Sequence, residues 1–383
     1  MFRSFFFAGF EGATGYNERG EWIDQIAATQ HDRHVDADYR RLRDVSIFAA
    51  REAIRWPLVD RKGVYDFSGV LPFVEAARKY RVEVIWDLFH YGFPGDLDIF
   101  SDAFVERFAA YCRATAEFIS QRHDGPYYFT PVNEPSYFAW AAGEVGLFAP
   151  HCKGRGAELK VALIRTAIAG INAIRSVLPD ARMVNVDPLC HVVPPQGRLD
   201  LLSEAHAFNN TAVFEGWDML CGRLRPELGG SREHLDIVGV NYYWTNQWEL
   251  GSGEVPLEHD DLRRVDLGRL VRRVWKRYDR ELLITETAHI QDARQFWMNY
   301  VADECEILLD QGVPLRGVCL YPILGMPHWH LREQWVRMGL WDIIHEHPSL
   351  RRELFGPMRD ALRHAQRLEF RHSASSLQNG SAA

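Results

Sequence analysis

Cysteine is sparse and unpatterned in this chain. Cys112, Cys152, Cys190, Cys221, Cys305 and Cys319 form no C-x-x-C pair and follow no regular spacing, so they read as buried thiols of a reducing compartment. No Gly-x-Gly-x-x-Gly or phosphate-loop motif follows any strand-like run, which argues against nucleotide binding. No apolar run approaches the roughly 20 residues that span a bilayer, and no membrane association is expected. Basic stripes interleaved with aromatics are also missing. With a net charge of −8 over 383 residues, neither nucleic acid nor another polyanion is an expected partner. The segment Phe5 to Phe10 is too short and too aromatic for the core of a signal peptide and has no small-residue cleavage site. It reads as a first strand, and a cytoplasmic location is expected.

What remains is a chain with ample core, 47% hydrophobic and 25% charged, which sets disorder aside. Strand-like apolar runs recur at Phe5 to Phe10, Ile47 to Arg51, Val82 to Phe89, Tyr127 to Val132, Ala181 to Val186, Ile237 to Tyr243, Leu282 to Thr285 and Gly317 to Tyr321. Between them, Asp102 to Arg122, Ala157 to Leu178 and Gln291 to Gln311 place apolar residues three and four apart, as helices covering a sheet do. Ser101 offers a cap to the first, and Pro179 ends the second. Eight strands alternating with helices predict an α/β fold of the closed (β/α)8 TIM-barrel type. Residues 1–370 are expected to form this single domain. The small, polar segment 371–383 is expected to be a disordered tail. Trp244 to Asp261 reads as a long loop after the sixth strand, at the barrel end where loops shape a pocket.

Two glutamates stand out, Glu134 in Asn133-Glu134-Pro135 and Glu286 in Thr285-Glu286-Thr287, each where an apolar strand gives way to a loop. They fall after the fourth and seventh strands, on the active-site face of a barrel. Two carboxylates facing one sugar are the working parts of a glycosidase. The proline after Glu134 excludes the helical region and predicts an extended backbone that projects the carboxyl into a cleft. Asn133 is placed to bind a sugar hydroxyl. A charge where Glu286 lies is costly unless it faces a polar cavity. Each also has a plainer reading as a loop or surface carboxylate; the joint placement favours chemistry.

These segments resemble the signatures of the clan A retaining glycoside hydrolases, most closely family 1, the β-glucosidase family. Arg51 five residues before Trp56-Pro57 is similar to the second-strand segment whose arginine contacts the nucleophile. Asp87-Leu88-Phe89-His90-Tyr91-Gly92-Phe93-Pro94 resembles the third-strand motif whose histidine binds the sugar, and Asp236 to Tyr243 the sixth-strand motif whose second tyrosine bonds the nucleophile. With strand eight and Met338-Gly339-Leu340, the likeness covers most of the chain. It departs from the family at two places. Glu11 stands where a sugar-binding glutamine is usual, and Tyr321, His328 and Trp329 stand where a tryptophan and a Glu-Trp pair are usual.

The resemblance implies a double displacement with retention. Glu286 is the expected nucleophile and Glu134 the acid/base, held protonated by the nearby charge of Glu286. Arg51 and Tyr243 are expected to support Glu286, while Asn133, His90, Trp329, His328, Tyr321 and Glu11 contribute to sugar binding or support. Plainer roles remain open for some, His90 as a satisfied core histidine and Arg51 as a simple counter-ion. Among Trp140, Tyr242, Trp244, Trp248 and Trp329, about half are expected to line the cleft. The pairs His31/His34 and His328/His330 lack further ligands at metal spacing, so neither a metal nor an organic cofactor is expected. The expected partner is a small carbohydrate; oligomeric state is not readable. A transglycosidase using the same intermediate, or an inactive sugar-binding barrel, are the alternatives.

Overall fold

The computed structural model describes residues 2–251 and 255–379. Eight parallel strands, β1 (Phe6–Gly9), β2 (Ala49–Ala53), β3 (Glu83–Asp87), β4 (Tyr128–Thr130), β5 (Arg182–Pro188), β6 (Ile237–Asn241), β7 (Glu281–Thr287) and β8 (Leu315–Leu320), hydrogen-bond in sequence order. The pairing of β1 with both β2 and β8 closes the barrel. All eight strands lie where the apolar runs predict them.

A helix follows each strand: α1 (His31–Asp44), α2 (Leu71–Tyr80), α3 (Asp102–Ser120), α4 (Gly156–Val177), α5 (Leu202–Asn210), α6 (Leu267–Tyr278), α7 (Ala293–Asp310) and α8 (Gly356–Asn379). The Ser101 hydroxyl accepts from Phe104 N and so caps α3 as its sequence position predicts. α4 stops two residues before Pro179. α8 runs into the segment read as a polar tail; residues 380–383 lie outside the described ones. Among the described residues no helix is long and apolar enough to cross a membrane.

Buried apolar residues form two clusters, because strand side chains alternate between faces. One large cluster fills the space between strands and helices. The smaller one, including Phe7, Ala49, Ile85, Tyr128, Val184, Ile237, Leu283 and Cys319, contains inward-facing positions from all eight strands. Two residues further along seven of the strands, β5 excepted, the same face carries Gly9, Arg51, Asp87, Thr130, Gly239, Thr285 and Tyr321. The barrel interior thus changes from apolar to polar toward its C-terminal end. Gly9 is needed there: a Cβ on it would lie 2.0 Å from Tyr321 Cδ2.

The two histidine pairs part company. His31 is buried between Asp38 (2.9 Å) and Glu52 (3.0 Å). Against the pull of burial, these carboxylates push its pKa up to about 9. Arg352, on the strand Arg351–Leu354 that precedes α8, also binds Asp38, so this cluster ties α1 to β2 and to the chain's last strand.

Candidate active site

Glu286 reaches the interior through an irregularity. The β6–β7 register shifts between Val240 and Asn241, so that Asn241 pairs with Glu286 rather than with Thr285. Such shifts re-aim a side chain. Glu286 is 4% exposed and Arg51 beneath it 1%. Arg51 Nη1 donates to Glu286 Oε1 at 2.5 Å, and its Nη2 donates to Asp87 Oδ2 and Asn133 Oδ1 at 2.6 Å each. The Tyr243 hydroxyl donates to Glu286 Oε2 at 2.7 Å. Both oxygens of Glu286 are therefore held. Burial pulls the Arg51 pKa down, but Asp87 and Glu286 outweigh it and keep the guanidinium charged.

Glu134 is not extended, contrary to expectation. Its φ of 47° and ψ of 59° are left-handed, at the start of a short helix, Pro135–Phe138. Proline disfavours the right-handed helical region for the preceding residue and favours the extended one; the left-handed conformation here avoids the first without adopting the second. Glu134 N donates to Val186 O, and Glu134 O accepts from Phe138 N, which hold a conformation costing on the order of 1–3 kcal/mol. Asn241 Nδ2 donates to Glu134 Oε1 at 2.8 Å and the Tyr91 hydroxyl to Oε2 at 2.6 Å.

The Glu134 pKa is pushed up to about 8, first by burial and then by Glu286, against the hydrogen bonds from Tyr91 and Asn241. The expected protonation has a different leading cause: burial counts for more than the neighbouring charge. Tyr91→Phe removes a bond that favours the carboxylate, so the pKa of Glu134 is expected to rise further. The alkaline limb of kcat/KM should then move to higher pH than in the wild type. A limb that stays in place or moves to lower pH contradicts this role for Tyr91.

Asp87 and Asn133 connect Arg51 to His90. His90 Nδ1 lies 2.9 Å from Asp87 Oδ2 and its Nε2 lies 3.2 Å from Asn133 Nδ2. Burial lowers the His90 pKa, and Asp87 and Glu11 raise it more. Because Asn133 Oδ1 is fixed by Arg51, it is the amide nitrogen of Asn133 that faces His90 Nε2, while Nδ1 faces Asp87. Tyr321 packs beneath, its ring 6.0 Å from that of His90 and its oxygen accepting from Gly12 N at 3.1 Å.

Glu11 accepts from Ala13 N at 2.9 Å and stands 3.6 Å from His90 Nε2. Burial raises its pKa from 4.5 to about 6, more than His90 lowers it. The folded state thus disfavours the ionised form. This cost is absent well below pH 4.5 and complete above pH 6. Glu11→Gln keeps the acceptor and removes the charge, so it is expected to stabilise the fold by about 2 kcal/mol at pH 8 and by little at pH 4. Urea midpoints of both proteins at the two pH values test this; a difference independent of pH contradicts it.

These groups open onto one cavity of about 540 Å³. Glu134 and Glu286 both line it, as do Glu11, His90, Tyr243, His328 and Trp329. Arg51, Asn133 and Tyr321 lie buried beneath, at 0–2% exposure. Of the five aromatics, Trp140, Trp248 and Trp329 face the cavity. Tyr242 instead stacks on Trp297, and Trp244 on His289. Asp87, Tyr91 and Asn241 each lie inside one of the motifs above, yet their roles were not foreseen from sequence. The signal available was period two: Asp87 and Asn241 occupy inward positions at strand ends. Among the described residues no group of three His, Cys, Asp or Glu side chains is arranged to hold a metal ion.

No protein-family model matches the chain, and no curated protein matches it in sequence. Solved structures do match in fold. The β-glucosidase from Thermotoga maritima in complex with methoxycarbonyl-substituted glucoimidazole has a TM-score of 0.76 at 16% identity, covering 94% of this chain and 97% of that one. Its complex with castanospermine gives 0.75 at 16% identity, with the same coverage. Its complex with galacto-hydroximolactam gives 0.75 at 16% identity, covering 96% of this chain and 98% of that one. The barrel is thus shared along nearly the whole length of both chains.

Proposed function

We propose that this protein is a retaining β-glycosidase acting on a small β-linked glycoside. The observation that carries the proposal is the unequal treatment of two carboxyls facing one cavity. Glu134 is buried and held protonated near neutral pH, its pKa about 8; Glu286 receives a guanidinium on one oxygen and a phenol on the other. A carboxyl held protonated beside one bonded to a guanidinium and a phenol is the arrangement of an acid and a nucleophile. The T. maritima β-glucosidase, whose complexes hold a substituted glucoimidazole and castanospermine, supports a small sugar-like ligand.

In this reading Glu286 attacks the anomeric carbon while Glu134 donates its proton to the departing oxygen. The bond to Glu286 neutralises that carboxylate, which removes the second cause of the raised Glu134 pKa. Glu134 can then act as base toward water, whose oxygen displaces Glu286 and restores the starting configuration. His90 and Glu11, which line the cavity with Glu286, are suited to ring hydroxyls, and Asn133 beneath them holds His90 and Arg51 in place.

Glu134→Ala tests the assignment through the leaving group. The rate should fall roughly 10²- to 10⁴-fold on glycosides of poor leaving groups. It should fall far less for formation of the intermediate from activated aryl β-glycosides, whose leaving groups need no proton. A loss uniform across leaving groups would mean that Glu134 supports the fold and does not transfer a proton.

A further inference from the structure

The cavity wall divides by strand, and the two halves differ in chemistry. Glu134 stands at the end of β4, between β3 and β5 in the barrel. On the β3 side lie the polar groups His90 and Glu11. On the β5 side lie Pro188 at the end of β5, Cys190 after it, Phe208 on α5, Val213 just past α5, and Trp248 after β6. Phe208 and Trp248 meet edge to face with centroids 5.7 Å apart. The short strands His191–Val193 and Gln247–Glu249 pair and fix the two loops to each other.

Most polar side chains on that half already have a protein partner. The Ser136 hydroxyl donates to Asp187 Oδ2 at 2.6 Å, and Lys160 Nζ pairs with Glu215 Oε2 at 2.8 Å. Asn246 Nδ2 donates to Leu189 O and Asn241 O, and its Oδ1 accepts from Tyr243 N. Thr245 adds one hydroxyl to the lining. A second sugar buried here exchanges the water on its hydroxyls for few new hydrogen bonds, which is unfavourable. An apolar group loses nothing and gains contact with both rings.

We infer that the half of the cavity beside β5 and β6 is a site for an apolar aglycone, an alkyl chain or an aromatic ring, in preference to a second sugar. This rests on the β-glycosidase reading, since it is Glu134's role as acid that puts the leaving group on that side. The site selects among glycosides by what leaves, while Glu11 and His90 face the sugar.

The test compares kcat/KM of the full-length protein on methyl and octyl β-glycosides and on the β-1,4 disaccharide of one glycone, with octyl glycoside below its micelle concentration. The glycone is whichever is cleaved fastest as its 4-nitrophenyl β-glycoside. Methanol and octanol are similar leaving groups, so their ratio reports binding of the chain. Octyl glycoside is expected to exceed both others by about tenfold or more. Phe208→Ser and Trp248→Ala should each bring the octyl-to-methyl ratio down several-fold; a ratio within one protein is insensitive to how much of it is folded. A disaccharide cleaved as well as octyl glycoside, or a ratio unmoved by both substitutions, overturns the apolar site and leaves the β-glycosidase reading standing. Absence of hydrolysis of every glycoside, the 4-nitrophenyl ones included, overturns that reading and this inference with it.

Discussion

Glu286→Ala is expected to lower kcat/KM on aryl β-glycosides by on the order of 10⁴- to 10⁶-fold, the range met when a catalytic nucleophile is removed. The substitution also leaves space beside the anomeric carbon. A small anion such as azide should enter that space and restore part of the rate, giving a glycosyl azide of inverted configuration because only one displacement then occurs. Fold stability should change much less than activity. Residual rates equal to the wild type's, or an azide product of retained configuration, would remove Glu286 from the role of nucleophile. The product's configuration is the sharper readout, since loss of rate alone follows from many kinds of damage.

Arg51→Met should damage both activity and stability. The guanidinium, 1% exposed, holds Glu286, Asp87 and Asn133 together. Without it two buried carboxylates face each other with no cation between them. Removing one partner of a buried ion pair costs about 3–5 kcal/mol, measurable as a lower urea midpoint at unchanged slope. Catalysis should fall by on the order of 10²- to 10³-fold or more, as when one donor to a reacting group is deleted. Arg51→Lys separates the two effects. It restores a positive charge, and with it part of the stability, but an ammonium cannot reproduce the planar fork that meets three side chains. Activity should remain low. Full recovery of activity in Arg51→Lys contradicts a geometric role for Arg51.

Much of this fold is legible in the sequence, because a parallel barrel strand is buried on both faces and reads as a short apolar run. All eight runs became strands, and the helices at Asp102–Ser120, Gly156–Val177 and Ala293–Asp310 begin and end within a few residues of their predicted bounds. The two glutamates are legible for the same reason, as charges where apolar runs stop. What supports them is less so. Asp87, Tyr91 and Asn241 matter through contacts across strands, and register is not written in any one strand. The side chain of Glu286 comes in by a register shift that no local pattern announces.

The backbone of Glu134 shows the limit of a local rule. Proline restricts its neighbour, yet the choice between extended and left-handed was made by bonds to Val186 and Phe138, distant in one case and following in the other. The cause of its raised pKa was likewise partly hidden. A neighbouring charge can be inferred from a motif, whereas complete burial is a property of the assembled cavity. The split of the aromatics follows from the same limit: Trp244 and Trp248 sit four residues apart in one loop, and only the second faces the cavity.

The most direct measurement is to trap the intermediate. A 2-deoxy-2-fluoro β-glycoside with an activated aryl leaving group slows both displacements but permits the first to outrun the second, so a glycosyl enzyme should accumulate. Mass spectrometry of the intact chain should show one added fluoroglycosyl group, and peptide mapping should place it on Glu286 in the segment Leu282 to Thr287. The label on any other residue, or hydrolysis of the ordinary glycoside with no label formed and an inverted first product, contradicts a double displacement through Glu286.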